Sequence, residues 1–143
     1  MAGALAFRWD GRRTRFLFQT RPGSYNDHAL IGFLRALKRA FRGRAVILIW
    51  DGLAAHHSRA MRAYLARQRA WLTIERLPSY APELNPVELI WGNLKRREFA
   101  NVCAETVEAL RCPLRRGCAR IRYHPTLAFS FLRHAGLAFN HAR

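Results

Sequence analysis

An α/β domain with a parallel strand pair is what this sequence predicts, and three observations predict it. Two apolar segments of strand length, residues 45–50 and 71–77, flank a segment with helical spacing, and another helical segment precedes them. Helix, strand, helix, strand in that order implies parallel strands joined by a crossover. The run Ala45-Val46-Ile47-Leu48-Ile49-Trp50 is almost continuously apolar, as a strand covered on both faces reads. The chain has 143 residues, 50% of them hydrophobic, enough to bury a core. No repeat, low-complexity stretch or linker interrupts it, so residues 1–143 read as a single domain.

Each element has a local reason. Residues 4–9 and 14–19 read as strands, and Asp10-Gly11 between them is a strong turn signal, so a hairpin is expected. Arg21-Pro22-Gly23-Ser24 ends it. Asn26 can cap a helix whose apolar positions Leu30, Leu34, Leu37 and Phe41 form one stripe. Arg35, Lys38, Arg39 and Arg42 lie opposite, and Gly43 closes the helix. After Asp51-Gly52 comes a loop with His56 and His57. Ser58 then caps a helix carrying Met61, Tyr64 and Leu65 against Arg59, Arg62, Arg67 and Arg69. Asn85-Pro86 starts a helix that runs to about Glu98. Beyond residue 100 the pattern is helical again, with Val107, Leu110 and Leu114 in phase and Pro113 expected to kink or break it. A last short helix spans about residues 125–135.

Charge narrows the class of partner. Twenty-five Lys and Arg oppose nine Asp and Glu, a net charge of +16 at pH 7. An anionic polymer is the natural partner, nucleic acid ahead of a membrane surface. Twelve per cent aromatic content argues against a disordered basic tail. Only Lys38 and Lys95 are lysines; arginine suits bidentate phosphate contacts, but coding bias gives the same skew. Cys103, Cys112 and Cys118 form no CxxC pair and read as reduced thiols; zinc would have to borrow His124 or His134 at unpersuasive spacings. No apolar run reaches the ~18 residues of a spanning helix and no secretory signal opens the chain. A cytoplasmic, nucleoid-associated protein with no membrane contact is expected.

Two acids carry the chemistry. Asp51 follows the apolar strand and precedes a glycine, at the end of the strand where α/β sheets place ligands. It also fits a plain Asp-Gly turn. Glu88 stands in the first turn of the helix begun by Asn85-Pro86, at the spacing of a capping box. A glutamate folded back onto its cap is less free to hold a cation, so these two roles conflict. Carboxylates from separate elements can share Mg²⁺, which takes a few hard oxygen ligands and keeps water and phosphate for the rest. Phosphodiester transfer uses two such ions about 3.5–4 Å apart.

The residues around these acids sharpen the reading. Asp51 with His56 a few residues on, followed by Leu77-Pro78-Ser79-Tyr80-Ala81-Pro82-Glu83-Leu84-Asn85-Pro86-Val87-Glu88-Leu89-Ile90-Trp91-Gly92-Asn93-Leu94-Lys95, resembles the catalytic core of DDE-type transposases. The mariner-like insertion-sequence superfamily is the nearest group, and the interval from Asp51 to Glu88 falls in its usual range. Weaker similarity runs from the hairpin through Gly23-Ser24-Tyr25-Asn26 to the C-terminal helices. Gly52 departs from the asparagine many relatives carry beside that Asp. The resemblance implies a ribonuclease-H-like (integrase-like) mixed sheet flanked by helices, and Mg²⁺-dependent cutting and joining of DNA at transposon ends, with Mn²⁺ able to substitute. Asp51 and Glu88 would be the second and third catalytic acids and metal ligands. His56, Asn85 and Lys95 are neighbours of that site, and Arg59, Arg62, Lys95, Arg96 and Arg97 are candidate DNA contacts. Trp91, one turn beyond Glu88, reads as core.

The resemblance also implies a first catalytic Asp, on a central strand ahead of the hairpin. No acid here matches it, since Asp10 is a turn residue by its local chemistry. The expectation is therefore a catalytic-domain fragment without its first, central strand and without a helix-turn-helix domain. It would be inactive alone, and would hold two ions only when a third carboxylate is supplied. DNA, an upstream transposase fragment acting in trans and a second copy of the chain are the expected partners. The competing reading is a non-catalytic basic relic that holds DNA by its phosphates, weakening steeply with salt and ignoring sequence. A ribonuclease-H-like nuclease cutting RNA is a third reading, disfavoured by the 77–88 loop.

Overall fold

Local capping chemistry sets the first boundaries in the structure, a computed structural model that describes residues 1–21, 23–78, 81–100 and 109–139. The chain packs as two compact units, one of Met1–Ala2 and Gln19–Pro82, the other of Gly3–Phe18 and Glu83–Arg143.

In the first unit, Asn26 caps helix α1 (Asp27–Ala40) by accepting from the Ala29 N–H at 3.0 Å. Ile31, Phe33, Leu34 and Leu37 are its buried face. Gly43, at φ 74°, then turns the chain into strand β3 (Val46–Trp50). Ser58 caps helix α2 (Arg59–Ala66) through a 3.0 Å bond from the Met61 N–H, and Met61 is fully buried. Strand β4 (Leu72–Arg76) returns parallel to β3, with Val46 opposite Leu72 and Trp50 opposite Arg76. The expected parallel pair with a helical crossover is present. Gln68 braces the return, its side-chain oxygen accepting from Lys38 Nζ and Trp71 Nε1, both at 2.9 Å.

One expectation about β3 fails. Its burial alternates along the strand, and Ile47 and Ile49 are 69% and 53% exposed. The apolar run fits two covered faces, but β3 pairs only with β4 among the described residues and one face stays open. Residue type records what a position tolerates, while cover depends on a neighbour being there.

The second unit holds strands β1 (Ala2–Phe7) and β2 (Thr14–Gln19), which pair as a two-stranded sheet, except for the terminal Ala2 and Gln19. It also holds helices α3 (Pro86–Glu98), α4 (Arg111–Tyr123) and α5 (Pro125–His134). β1 ends two residues earlier than the sequence pattern indicates, so Trp9 falls in the turn. Phe16, Ile90, Leu94, Cys118, Ile121 and Phe131 form the core, with Trp91 packed against it as its spacing implies. Each such aliphatic side chain stabilises by about 1.5–3 kcal/mol when fully buried. Arg120 adds a polar clamp between α4 and α3, donating from Nε to Glu98 at 3.2 Å and from Nη2 to Asn93 at 2.7 Å.

Pro113 neither kinks nor breaks α4. It sits in the first turn, where backbone N–H groups have no helical acceptor to lose. Val107 and Cys103 lie outside the described residues. Of the other cysteines Cys112 is exposed and Cys118 buried, both free. No helix among the described residues is long and apolar enough to cross a membrane.

Gly117 marks the close approach of α4 to α3. A Cβ there would collide with the Leu94 side chain and come within 2.7 Å of Glu98 Cγ. Gly117→Ala should therefore lower unfolding free energy by about 1–3 kcal/mol in urea melts, and an unchanged midpoint would show that the helices are not so close. Burial pushes the Cys118 thiol up to about 11. Iodoacetamide at pH 8 should alkylate Cys112 in the native protein and Cys118 only after denaturation, read by peptide mass spectrometry. Folded protein keeps that thiol protonated where unfolded chain ionises it, so stability should fall as pH rises from 9.0 to about 11.

Candidate functional site

Asp51 is placed by the ladder that ends at Trp50. The Leu77 N–H donates to the Trp50 carbonyl at 2.9 Å, so Asp51 and the start of the 77–88 loop leave the parallel pair at the same end. The next residues turn back. Asp51 Oδ1 accepts from the Leu53 N–H at 3.2 Å, and residues Ala54–His57 form one 3₁₀ turn. That turn brings His56 under Trp50, ring on ring at 4.0 Å and nearly parallel. His56 is buried, and its Nδ1 lies 2.9 Å from the Asp51 carbonyl oxygen and 3.3 Å from Oδ1. A carbonyl only accepts, so Nδ1 carries the proton in this bond.

The Asp51 carboxyl itself is half exposed, and its protein contacts fall on Oδ1. Oδ2 is left for an outside partner. The plain Asp-Gly turn and the ligand role are compatible here, because the turn uses one oxygen. Trp50 was not singled out from sequence, yet it is the surface against which His56 is held; a buried aromatic before a loop histidine was the available signal. Its indole N–H is buried without an acceptor among the described residues, so stacking and burial hold it rather than hydrogen bonding.

Glu88 belongs to the other unit. Asn85 caps α3 through its own side chain, accepting from the Val87 N–H at 3.1 Å, and Pro86 takes the first helical position. The Glu88 backbone N–H is bonded to the Asn85 carbonyl at 3.0 Å. The Glu88 carboxylate does not fold back to close a capping box. It is exposed and has no hydrogen bond or ion pair among the described residues. The conflict between cap and ligand is thereby resolved: Asn85 does the capping and Glu88 is free.

Lys95, two turns on from Glu88 and on its side of the helix, is exposed, as are Arg96 and Arg97. Arg59 and Arg62 are exposed on α2. The structure thus brings Asp51 and His56 together in one unit and sets Asn85, Glu88 and Lys95 on one helix start and face in the other. Ser79 and Tyr80 of the loop lie outside the described residues. Asp10 is committed to its turn, accepting from the Arg12 N–H at 3.0 Å and pairing with Arg8 Nε at 3.0 Å.

Residues 10–111 match the family model described as DDE superfamily endonuclease, and the chain belongs to that family. The catalytic domain of Mos1 mariner transposase has a similar structure, with a TM-score of 0.57 at 18% identity over 96% of this chain and 75% of that one. The same catalytic domain solved with Raltegravir and Mg gives 0.56 at 18% identity, over 96% of this chain and 76% of that one. The Mos1 strand transfer complex gives 0.54 at 20%, over 96% of this chain and 43% of that one. No curated protein sequence matches significantly. The fold is thus the ribonuclease-H-like α/β fold that the resemblance implied.

Asp51 in the first unit and Glu88 in the second each keep at least one carboxylate oxygen outside any protein bond among the described residues, and such oxygens are the hard donors that divalent cations take. Among the described residues, no group of three His, Cys, Asp or Glu side chains could hold a metal. Asn85→Ala should remove the cap of α3 and cost about 1 kcal/mol of stability. His56→Ala should cost more, about 2–4 kcal/mol, because it empties a buried stacking site beneath Trp50. Thermal melts of the two variants check this ordering, and a smaller loss for His56→Ala would contradict the packing described.

Proposed function

We propose that this chain supplies Asp51 and Glu88 as two carboxylates of a three-acid site for Mg²⁺-dependent DNA strand cleavage and transfer, the chemistry of transposition. The observation that carries the reading is the free Glu88 carboxylate, on a helix whose side-chain cap is Asn85 and not Glu88. Family membership and the Asp51–Glu88 interval support it. Structures of the Mos1 catalytic domain with Mg and with Mn point to the same class of cation, and its strand transfer complex points to DNA.

In this reading Asp51 presents Oδ2 as a ligand while its Oδ1 is held by the Leu53 N–H. His56, pinned by Trp50 and bonded to the Asp51 carbonyl, fixes the backbone from which that carboxyl projects. Glu88 presents its carboxylate from the rigid first turn of α3. Lys95 and Arg96 offer charge to DNA phosphates beyond Glu88, Arg97 offers it from the far side of α3, and Arg59 and Arg62 do so from α2. A bound Mg²⁺ or Mn²⁺ would stabilise charge on the entering and leaving oxygens of the phosphodiester.

The third acid is proposed to come from a further polypeptide segment carrying a strand with an Asp. Support comes from β3, which pairs on one edge only among the described residues and leaves Ile47 and Ile49 exposed. A further strand would pair on the other, free edge.

Supercoiled plasmid nicking with Mg²⁺ tests the reading. The chain alone should be inactive, and adding a family fragment that carries a strand with an Asp should give metal-dependent nicking. Asp51→Asn or Glu88→Gln should reduce that nicking at least 10²-fold and weaken Mn²⁺ binding, measured by electron paramagnetic resonance. DNA binding should stay equal or tighten slightly. Strong Mg²⁺-dependent cleavage by the chain alone would overturn the third-acid requirement. Undiminished nicking by Asp51→Asn would overturn the site.

A further inference from the structure

The most exposed large apolar side chain of the described residues is not at the acidic residues but at the tip of the β1–β2 hairpin. Trp9 is 84% exposed, whereas Trp50 is buried and Trp71 and Trp91 are partly buried. An exposed tryptophan on a loose turn would mean little, but this turn is tightly held. The Arg8 N–H donates to the Arg13 carbonyl at 2.8 Å, and the Gly11 N–H donates to the Arg8 carbonyl at 2.9 Å. Asp10 accepts from the Arg12 N–H through one oxygen and pairs with Arg8 through the other. Gly11 takes φ 66°, which a side-chain-bearing residue rarely adopts. The indole is thus displayed by a closed network rather than left out by disorder.

Its surroundings name the partner. Arg8 is matched by Asp10, but Arg12 and Arg13 are exposed and carry no ion pair among the described residues. A flat apolar ring on the same turn as two uncompensated guanidinium groups fits an anionic polymer that also offers flat apolar faces. Nucleic acid with an unpaired base has both: arginines take the phosphates and the indole stacks on the base. Bases inside a duplex are already stacked on one another. A lipid surface is a poorer fit, since membrane-surface binding draws on a whole apolar helix face and this tip offers one ring. The family model match begins at Asp10, so Trp9 lies just outside the region that assigned the family.

We propose that the hairpin tip is a docking point for single-stranded or unpaired nucleic acid, with Trp9 stacking on a base and Arg12 and Arg13 holding the flanking phosphates. The proposal rests on the reading that this chain acts on DNA and assigns that reading a contact surface separate from Asp51 and Glu88. The rigid turn lowers the ordering cost of binding, because the ring is presented before the strand arrives.

The test uses the full chain and three probes: a labelled oligo-dT strand, a blunt duplex of equal length, and heparin as a polyanion without bases. Trp9→Ala should bind oligo-dT roughly tenfold more weakly at fixed salt, with the slope of log K against log salt unchanged. Heparin affinity should not move, and duplex affinity should fall much less. Trp9→Phe should recover part of the loss, and oligo-dT should quench tryptophan fluorescence in the wild type but far less in Trp9→Ala. Arg12→Gln with Arg13→Gln should weaken all three probes and flatten the salt slope. Equal losses on heparin and oligo-dT, or no loss on oligo-dT, would overturn stacking while leaving the proposed cleavage site intact. Anionic vesicles serve as a fourth probe, and binding to them but not to oligo-dT would overturn the choice of partner. No DNA binding by the wild type would overturn both readings together.

Discussion

The start of α3 is the constraint on which most of the second unit depends. Pro86 fixes the backbone at the first helical position, and the Asn85 side chain accepts from the Val87 N–H, a first-turn donor with no helical acceptor. Once the helix begins there, its phase is set. Ile90 and Leu94, one turn apart, point inward and are essentially fully buried, while Glu88 and Lys95 point out. Shifting the start by one residue would rotate the helix by about 100°, exposing a core side chain and turning the acid inward. The same cap that stabilises the helix therefore aims the carboxylate.

Asp51 is positioned by a different device with the same economy of parts. The parallel ladder ends at Trp50, the chain turns at once, and a single 3₁₀ turn slides His56 beneath the indole. Stacking removes two aromatic surfaces from water, and the imidazole N–H returns a bond to the Asp51 carbonyl. A buried polar ring is tolerated because its N–H is satisfied. The aspartate thus projects from a backbone fixed on both sides, by the strand before it and the histidine after it. Only one carboxylate oxygen is used in that fixing, and the other is left to a ligand.

Much of this was legible in the sequence because it is local. The caps at Asn26, Ser58 and Asn85, the β2 and α3 boundaries and the parallel pairing follow from chemistry within a few residues or from the order of elements. What was not legible depends on partners distant in sequence. Residues 45–50 read as a strand covered on both faces, yet Ile47 and Ile49 face outward. Pro113 read as a breaker because the pattern placed it mid-helix, and the true start at Arg111 makes it harmless. Trp9 read as the end of a strand, but the network around Asp10 draws it into the turn.

By itself the sequence determined the fold class and the starts of the helices capped by Asn26, Ser58 and Asn85, since capping and periodicity act over short stretches of chain. It also determined the excess of positive charge. Only the tertiary structure decided which atoms of Asp51 and Glu88 remain free. Glu88 could have closed its own capping box, and Asp51 could have spent both oxygens on its turn. The Glu88 carboxylate instead stays unbonded among the described residues, and the hydrogen bond from the Leu53 N–H to Asp51 takes only Oδ1. Each such bond is worth only about 1 kcal/mol, too small to read from residue types, yet it decides whether a carboxylate is structural or available to a metal.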